Sequence, residues 1–123
     1  MSDEKRFTVA EANAALETLV PLLETLREAQ RAMAERQDDV LTAATGNGGG
    51  GAGNEFLEAS QKAGRAMAEI EGLGILVRDP EAGLVDFPAE REGDAIFLCW
   101  RLGEDAVAWW HPTDTGFAGR QPL

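Results

Sequence analysis

Residues 7–26 read FTVAEANAALETLVPLLETL, and this stretch decides how the rest of the chain can fold. Its apolar side chains recur at alternating intervals of three and four residues, which is typical of a coiled-coil seam on one face of an α-helix. The seam consists of Val9, Ala12, Leu16, Leu19, Leu23 and Leu26. It predicts a long N-terminal helix that packs against other helices.

This first helix is predicted over residues 7–42. Thr8 and Glu11 have the spacing of a capping box, in which each side chain accepts a hydrogen bond from the backbone amide of the other residue. Pro21 lies well inside the pattern, where its ring removes one helical hydrogen bond. We therefore expect a kink near Pro21 or, alternatively, a break into two helices.

A glycine-rich segment, residues 45–53, follows the first helix. Its composition is typical of a flexible linker, and it lacks the lysine and the preceding strand of a phosphate-binding loop. A second helix is predicted over residues 54–71, because apolar and small side chains repeat there at helical spacing and Gly72 follows. The two helices should form a coiled-coil-like helical hairpin.

Beyond Gly74 the apolar period changes from helical to alternating. Residues 75–111 are therefore predicted to form four antiparallel β-strands in meander order, with a Pro- and Gly-rich turn at residues 79–83. Residues 112–123 are expected to be a tail without regular structure that packs back on the domain. The whole chain, residues 1–123, is predicted to be one α+β domain.

The charge balance excludes several classes of partner. Twenty-two acidic side chains against eleven basic ones give a formal net charge of −11, which argues against nucleic acid and anionic membrane surfaces. No apolar run approaches the length of a membrane span, and the charged N-terminus does not resemble a signal peptide. Cys99 is the only cysteine, so no internal disulfide can form. We expect a cytoplasmic protein.

His111 is the only histidine and the first candidate for a functional side chain. A neutral imidazole can ligate a metal ion, and Asp86 and Glu71 are the carboxylates that we expect near it at the junction of helices and sheet. These three residues are the predicted ligands of a divalent transition metal, although the chain has no metal motif of fixed spacing. A structural or solvent-facing His111 is the commoner alternative.

Cys99 is the second candidate. It could act as a nucleophile if a cationic neighbour such as Arg101 lowered its pKa. Cysteine is, however, among the most buried residue types, and a position between Leu98 and Trp100 in the middle of a strand favours a packing role. No catalytic residue can be assigned from the sequence.

Several segments together resemble a bacterial protein family known as "domain of unknown function 2203". The segments are residues 7–13, 83–91, 98–104, 110–111 and 116–120. The resemblance extends over nearly the whole chain and implies a small bacterial cytoplasmic protein. It implies no activity, cofactor or substrate. The glycine-rich stretch differs from the tighter helical hairpin of the family.

The seam of the first helix exceeds what one short partner helix can cover, so we expect a second copy of the chain to pack against it. This predicts a homodimer formed through the helical hairpin, and a non-catalytic interaction or regulatory protein built on that bundle. The alternative is a metal- or small-ligand-binding protein, or an enzyme, with its site around His111. The sequence names neither a protein partner nor a ligand.

Overall fold

The computed structural model describes the backbone of residues 5–45 and 51–123, and the side chains of residues 5–37 and 53–123. Two helices come first, α1 (Val9–Thr45) and α2 (Gly51–Gly72). The strands that follow are β1 (Leu76–Asp79), β2 (Leu84–Arg91), β3 (Asp94–Arg101), β4 (Trp109–Pro112) and β5 (Gln121–Pro122), with a short 3-10 helix at Phe117–Gly119. The predicted α+β class is confirmed.

The strands form one antiparallel sheet in the order β1-β2-β3-β4-β5. Within the described residues the sheet therefore has five strands, and the prediction of a four-stranded meander is wrong in this respect. The additional strand, β5, lies in the segment that we predicted to be an irregular tail, where Gln121 pairs with Trp110 and Pro122 with Trp109. A strand of two residues that contains a proline has neither an alternating pattern nor β propensity, so the sequence gives no signal for it.

The N-terminus of α1 has the predicted capping box. The amide of Glu11 donates to Thr8 Oγ1 over 3.0 Å, and the amide of Thr8 donates to Glu11 Oε1 over 2.9 Å. Helix α1 continues through Pro21 and does not break into two helices. The kink near Pro21 stays a prediction. The helix begins and ends slightly later than the predicted range 7–42.

Helix α2 begins earlier than the predicted range 54–71, at Gly51. Most of the glycine-rich segment 45–53, which we predicted to be a flexible linker, lies at residues 46–50, outside the described part of the chain. After α2, Gly74 has a φ of +88°, a conformation that glycine adopts without steric cost and that turns the chain out of the helix towards β1. In the described residues, neither helix combines the length and the apolarity needed to span a lipid bilayer.

The two helices run antiparallel. Towards the far end of the pair, Arg36 Nε on α1 lies 2.7 Å from Glu55 Oε2 on α2. At the other end, Gly74, just beyond α2, lies beside the side chains of Lys5 and Phe7, which precede α1. The contacts at both ends establish a pair of antiparallel neighbours, while coiled-coil geometry stays a prediction.

The apolar seam of α1 is covered within a single chain over its central part. Leu19, Leu23 and Leu26 each have at most 1% of their surface exposed. They belong to a core that also contains side chains of α2 and of one face of the sheet. The argument that the seam requires a second copy of the chain is therefore wrong for this part of α1. The homodimer itself stays a prediction.

The two faces of the sheet differ because successive side chains of a strand point to opposite sides. The inner face packs on the helices and consists of Val85, Phe87, Ala89, Ile96, Leu98 and Trp100. The outer face consists of the alternate residues, which pair across the strands. They are Asp86, Pro88, Phe97, Cys99, Arg101, Trp109 and His111.

Candidate metal centre

Three side chains with different donor atoms meet on the outer face. Asp86 lies opposite Cys99 across β2 and β3, and His111 on β4 lies opposite Phe97, two residues from Cys99. A carboxylate oxygen of Asp86, the Sγ atom of Cys99 and a ring nitrogen of His111 all lie within 4.8 Å of one another. The three residues are 3%, 1% and 2% exposed, respectively. An oxygen, a sulfur and a nitrogen donor thus converge in a space shielded from water.

A tight turn sets this arrangement. Glu92 and Gly93 connect β2 to β3 and have φ values of +53° and +87°, as in the two-residue type I′ turn of a β-hairpin. Such a turn fixes which residues pair, and here it places Asp86 opposite Cys99. A shift of the register by one residue would move one of these side chains to the inner face.

Of the three predicted ligands, the structure brings two together. His111 Nε2 lies 3.0 Å from Asp86 Oδ1. Glu71 is exposed near the end of α2 and lines a separate cleft. The predicted position of the site at the junction of helices and sheet is wrong, because the alternation of β2 and β4 turns Asp86 and His111 to the outer face. The contribution of Glu71 to a shared site has no support in this geometry.

The hydrogen bonds of His111 fix the orientation of its ring. Nδ1 lies 2.8 Å from the carbonyl oxygen of Pro112, which can only accept, so Nδ1 carries a proton and donates it. The contact between Nε2 and Asp86 Oδ1 then needs a second proton, held either by the imidazole or by the carboxyl group. His111 is therefore aligned with Nε2 towards Asp86, and one proton lies between these two groups.

Arg78 holds the other oxygen of the carboxylate. Its Nε donates to Asp86 Oδ2 over 2.9 Å, and its guanidinium lies 5.1 Å from the centre of the Phe97 ring. A guanidinium forms a strong, charge-assisted hydrogen bond with a carboxylate, so Arg78 fixes the position of Asp86. Among the described residues, no buried side-chain polar atom lacks a hydrogen-bond partner. The cluster is therefore satisfied electrostatically and by hydrogen bonds.

Cys99 is buried as predicted, but beside charged groups on the outer face and outside the apolar core. Burial raises the pKa of the Cys99 thiol to about 11, and the negative charge of Asp86 adds to this effect. Arg120 and Arg101 lower the pKa but do not offset burial. The thiol is protonated at neutral pH, so a free thiolate nucleophile is not available.

The C-terminal segment is pinned across this side of the sheet. The guanidinium of Arg120 lies between two aromatic rings, 4.5 Å from the centre of Trp109 and 4.6 Å from the centre of Phe117. Its Nη2 donates to Glu104 Oε2 over 2.5 Å. On another part of the outer face, the ring of Phe97 packs on that of His111 with 5.5 Å between centres. The stacked side chains around Arg120 and the ring of Phe97 help to shield the donor atoms of Asp86, Cys99 and His111 from water.

The donor set and its surroundings fit a transition metal. Zn²⁺ accepts carboxylate, thiolate and imidazole ligands, and sites with three protein ligands leave one coordination position open. A ligating histidine commonly donates its other ring N–H to a backbone carbonyl, as His111 does to Pro112. Arg78 similarly fixes the carboxylate of Asp86. The sequence analysis did not name Cys99 as a metal ligand. The two-residue turn at Glu92 and Gly93 was the signal for it, because such a turn fixes the pairing that places Cys99 opposite Asp86.

The model of one protein family, described as an uncharacterized conserved protein (DUF2203), matches residues 5–123. No curated protein and no solved structure matches the chain.

Proposed function

Because the chain belongs to the DUF2203 family, whose description assigns no activity, we propose a function from the geometry of the outer face. The protein binds a divalent transition metal ion through Asp86, Cys99 and His111. The observation that supports this is the convergence of three different donor atoms within 4.8 Å in a buried position. Buried groups of this kind are rarely assembled without a structural or chemical use.

Zn²⁺ is the ion that the donor set favours. Ca²⁺ and Mg²⁺ prefer oxygen ligands, whereas a thiolate and an imidazole suit Zn²⁺ and its neighbours in the first transition row. Asp86 Oδ1, Cys99 Sγ and His111 Nε2 would supply three of the four tetrahedral ligands and leave the fourth position open, while Asp86 Oδ2 would stay on Arg78. The cation would then replace the proton that lies between His111 and Asp86 in the metal-free protein.

Binding of the metal releases protons, since coordination requires a thiolate and an unprotonated imidazole nitrogen. Cys99 loses its thiol proton, and the pair of His111 and Asp86 loses the proton that it shares. Because the pKa of the Cys99 thiol is about 11, loss of its proton alone should raise the apparent affinity by about tenfold per pH unit around neutral pH. This dependence distinguishes the buried site from adventitious binding to exposed carboxylates.

The burial of the site favours a structural or regulatory metal over a hydrolytic one. The three ligands are at most 3% exposed, so a substrate has no access to the ion in this conformation. The ligands come from three consecutive strands, β2, β3 and β4, and a bound ion would therefore tie these strands together. We place this function in the cytoplasm, where a single thiol stays reduced.

The experiment is a calorimetric titration of Zn²⁺ into protein freed of metal by a chelator, repeated with Co²⁺ to detect the thiolate-to-cobalt absorption band. One ion per chain and the band are expected. The variants Cys99→Ala and His111→Gln should weaken binding by about 10-fold to 100-fold or more. Glu71→Gln is the matched control and should leave affinity unchanged. Equal losses in Glu71→Gln and Cys99→Ala, or no thiolate band, would refute the site.

A second candidate function is interaction with another copy of the chain through the helices. Leu57, in the N-terminal half of α2, is 55% exposed and is the most exposed large apolar side chain in the described part of the chain. Nearby, Met33 and Phe56 are only partly buried and line a groove of about 290 Å³ between the helices. We propose that this end of the helical pair forms the homodimer, as expected from an interaction or regulatory protein.

Sedimentation equilibrium at micromolar concentration tests the homodimer. The wild-type chain should sediment as a dimer, and Leu57→Glu should convert it to a monomer while its circular dichroism stays unchanged. Glu58→Gln, which alters the neighbouring exposed position, is the control and should remain dimeric. A monomeric wild-type chain would remove this second function and leave the metal site unaffected.

A further inference from the structure

A cleft of about 370 Å³ lies where the N-terminal segment passes beside β2. The amide of Phe7 donates to the carbonyl oxygen of Pro88 over 2.7 Å, so this segment continues the edge of the sheet beyond β1. The preceding residues, Lys5 and Arg6, line the cleft from this side, and Thr113 lies after β4. The volume is at the lower end of the range for small-molecule sites.

The cleft combines an apolar surface with a cationic rim. Leu76, Pro88 and Phe97 provide the apolar surface, and Lys5 and Arg6 provide two positive charges. Among the residues that the structure describes, two cations and one carboxylate line the cleft, whereas the chain as a whole has a formal net charge of −11. The remaining lining residues are Glu71, Gly74, Ala89, Ala95, Ile96 and Thr113.

Within the described part of the chain, the contacts of the two cations are long or exposed. Arg6 Nη1 lies 3.7 Å from Glu90 Oε1, and these side chains are 45% and 59% exposed. An exposed ion pair of this length contributes little to stability, so a ligand anion can replace the carboxylate. Lys5 Nζ lies 4.7 Å from the centre of the Phe7 ring, and the Lys5 charge is close enough to Glu11 to help lower the pKa of that carboxyl group.

We propose that this cleft binds a small organic monoanion with an aromatic body. The anionic group pairs with Arg6 and Lys5, and the ring system lies on Leu76, Pro88 and Phe97. Glu71 lines the same cleft and repels a second negative charge, which selects a monoanion over a dianion. The cleft is a binding site in its own right, and this inference does not depend on a metal ion.

The position of Phe97 links the cleft to the candidate metal centre. Its ring lines the cleft and packs on the ring of His111, with 5.5 Å between the two centres. A ligand in the cleft therefore contacts the aromatic layer that covers His111. The two proposals can be tested separately. Anion binding is measured on metal-free protein, so a failure to bind the anion would not affect the result of the zinc titration.

The test uses 1-anilinonaphthalene-8-sulfonate, a fluorescent aromatic monoanion, titrated into the metal-free full-length chain at low salt. The double variant Lys5→Gln/Arg6→Gln should weaken binding at least about tenfold, which corresponds to about 1.4 kcal/mol. The matched control is Lys62→Gln/Arg65→Gln, which removes two cations from a groove between the helices and should change affinity less than about twofold. Glu71→Gln should tighten binding.

Two further measurements locate the bound probe. Amide chemical-shift changes should concentrate at Leu76, Phe97 and Thr113, and the uncharged analogue N-phenyl-1-naphthylamine should bind at least about tenfold more weakly. Unchanged circular dichroism shows that each variant is folded. Equal affinity in both double variants, equal binding of the uncharged analogue, or shift changes confined to the helices would overturn the proposal.

Discussion

Asp86 and Cys99 lie directly opposite each other on the outer face of the sheet, in a register fixed by the turn at Glu92 and Gly93. Glu92 has a φ of +53°, a conformation that favours asparagine and glycine over other residues. Replacing Glu92 with asparagine should therefore raise the free energy of unfolding by about 0.5–1 kcal/mol. Urea denaturation of the metal-free protein measures the change.

The control for this variant is Asp105→Asn, which removes one negative charge at an exposed position without a positive φ. It should leave stability within about 0.5 kcal/mol of the wild type. A gain of equal size in both variants would mean that reduced net charge, and not the turn, is responsible.

The metal-free protein should lose stability as the pH rises from about 9 to about 11. The Cys99 thiol has a pKa of about 11 in the folded chain, against 9.0 as its ordinary value. Between these values the unfolded chain releases the proton first, so the stabilisation is complete below pH 9 and is lost as the pH rises through 11. The loss should reach roughly 2 kcal/mol.

Urea denaturation at intervals between pH 8 and 11 measures this loss, with Cys99→Ala as the reference that lacks the thiol. The difference in stability between wild type and variant should shrink with rising pH. Parallel curves would show that other groups, such as lysines, cause the whole decline. In zinc-loaded protein the thiol has already lost its proton, so between about pH 9 and 11, where the thiol of the unfolded chain is ionised as well, the difference should no longer depend on pH.

Zinc should stabilise the folded chain through the ligands on β2, β3 and β4. At a free concentration of 100 times the dissociation constant, a ligand that binds only the folded state raises the free energy of unfolding by about 2.7 kcal/mol. Thermal denaturation with and without Zn²⁺ measures this, and Ca²⁺ at the same concentration should give no such gain. Retention of the zinc effect in His111→Gln would contradict the proposed ligand set.

Removal of Arg78 should destabilise the folded protein, because the buried Asp86 would lose its cationic partner. Asp86 is 3% exposed, and Arg78→Met removes the donor to its Oδ2 atom. We expect a loss of about 2–3 kcal/mol in the metal-free protein. Arg91→Met, which removes a guanidinium that lies 4.7 Å from the centre of the Trp110 ring, is the control and should cost less than about 1 kcal/mol.

A double-mutant cycle with Asp86→Asn distinguishes the ion pair from packing. If Arg78 acts mainly through the carboxylate, Arg78→Met should cost much less in the Asp86→Asn background than in the wild type. Additive losses would show instead that the contact of Arg78 with Phe97 accounts for its contribution.

The parts of the fold that the sequence predicts are those set by local periodicity. The seam predicted α1, and the Thr8 and Glu11 side chains predicted its start, because both signals depend on residues within one or two turns. The long strands β2 and β3 follow from alternation around a short turn. Strand β5 could not be predicted, since its pairing with β4 depends on the packing of the whole C-terminal segment.

The candidate site was predicted in part for a related reason. Asp86 and His111 were both named, and the structure brings them together. Glu71 is a plausible ligand from sequence because it lies at the end of the helix that leads into the sheet. Strand alternation, however, decides which face of the sheet Asp86 and His111 occupy, and proximity in sequence does not. The burial tendency of cysteine and the position of Cys99 between Leu98 and Trp100 favour a packing role, whereas the β2–β3 register places Cys99 opposite Asp86.

The sheet separates two compartments with different chemistry. Phe87 and Leu98 contact the helices on one side, while their neighbours Asp86 and Cys99 belong to the charged cluster on the other. Since the two sets of side chains share only the strand backbone, substitutions in the charged cluster need not disturb the hydrophobic interior, and repacking of the interior need not alter the cluster. Natural selection can therefore alter the polar cluster and the packing of the interior in this protein as separate traits.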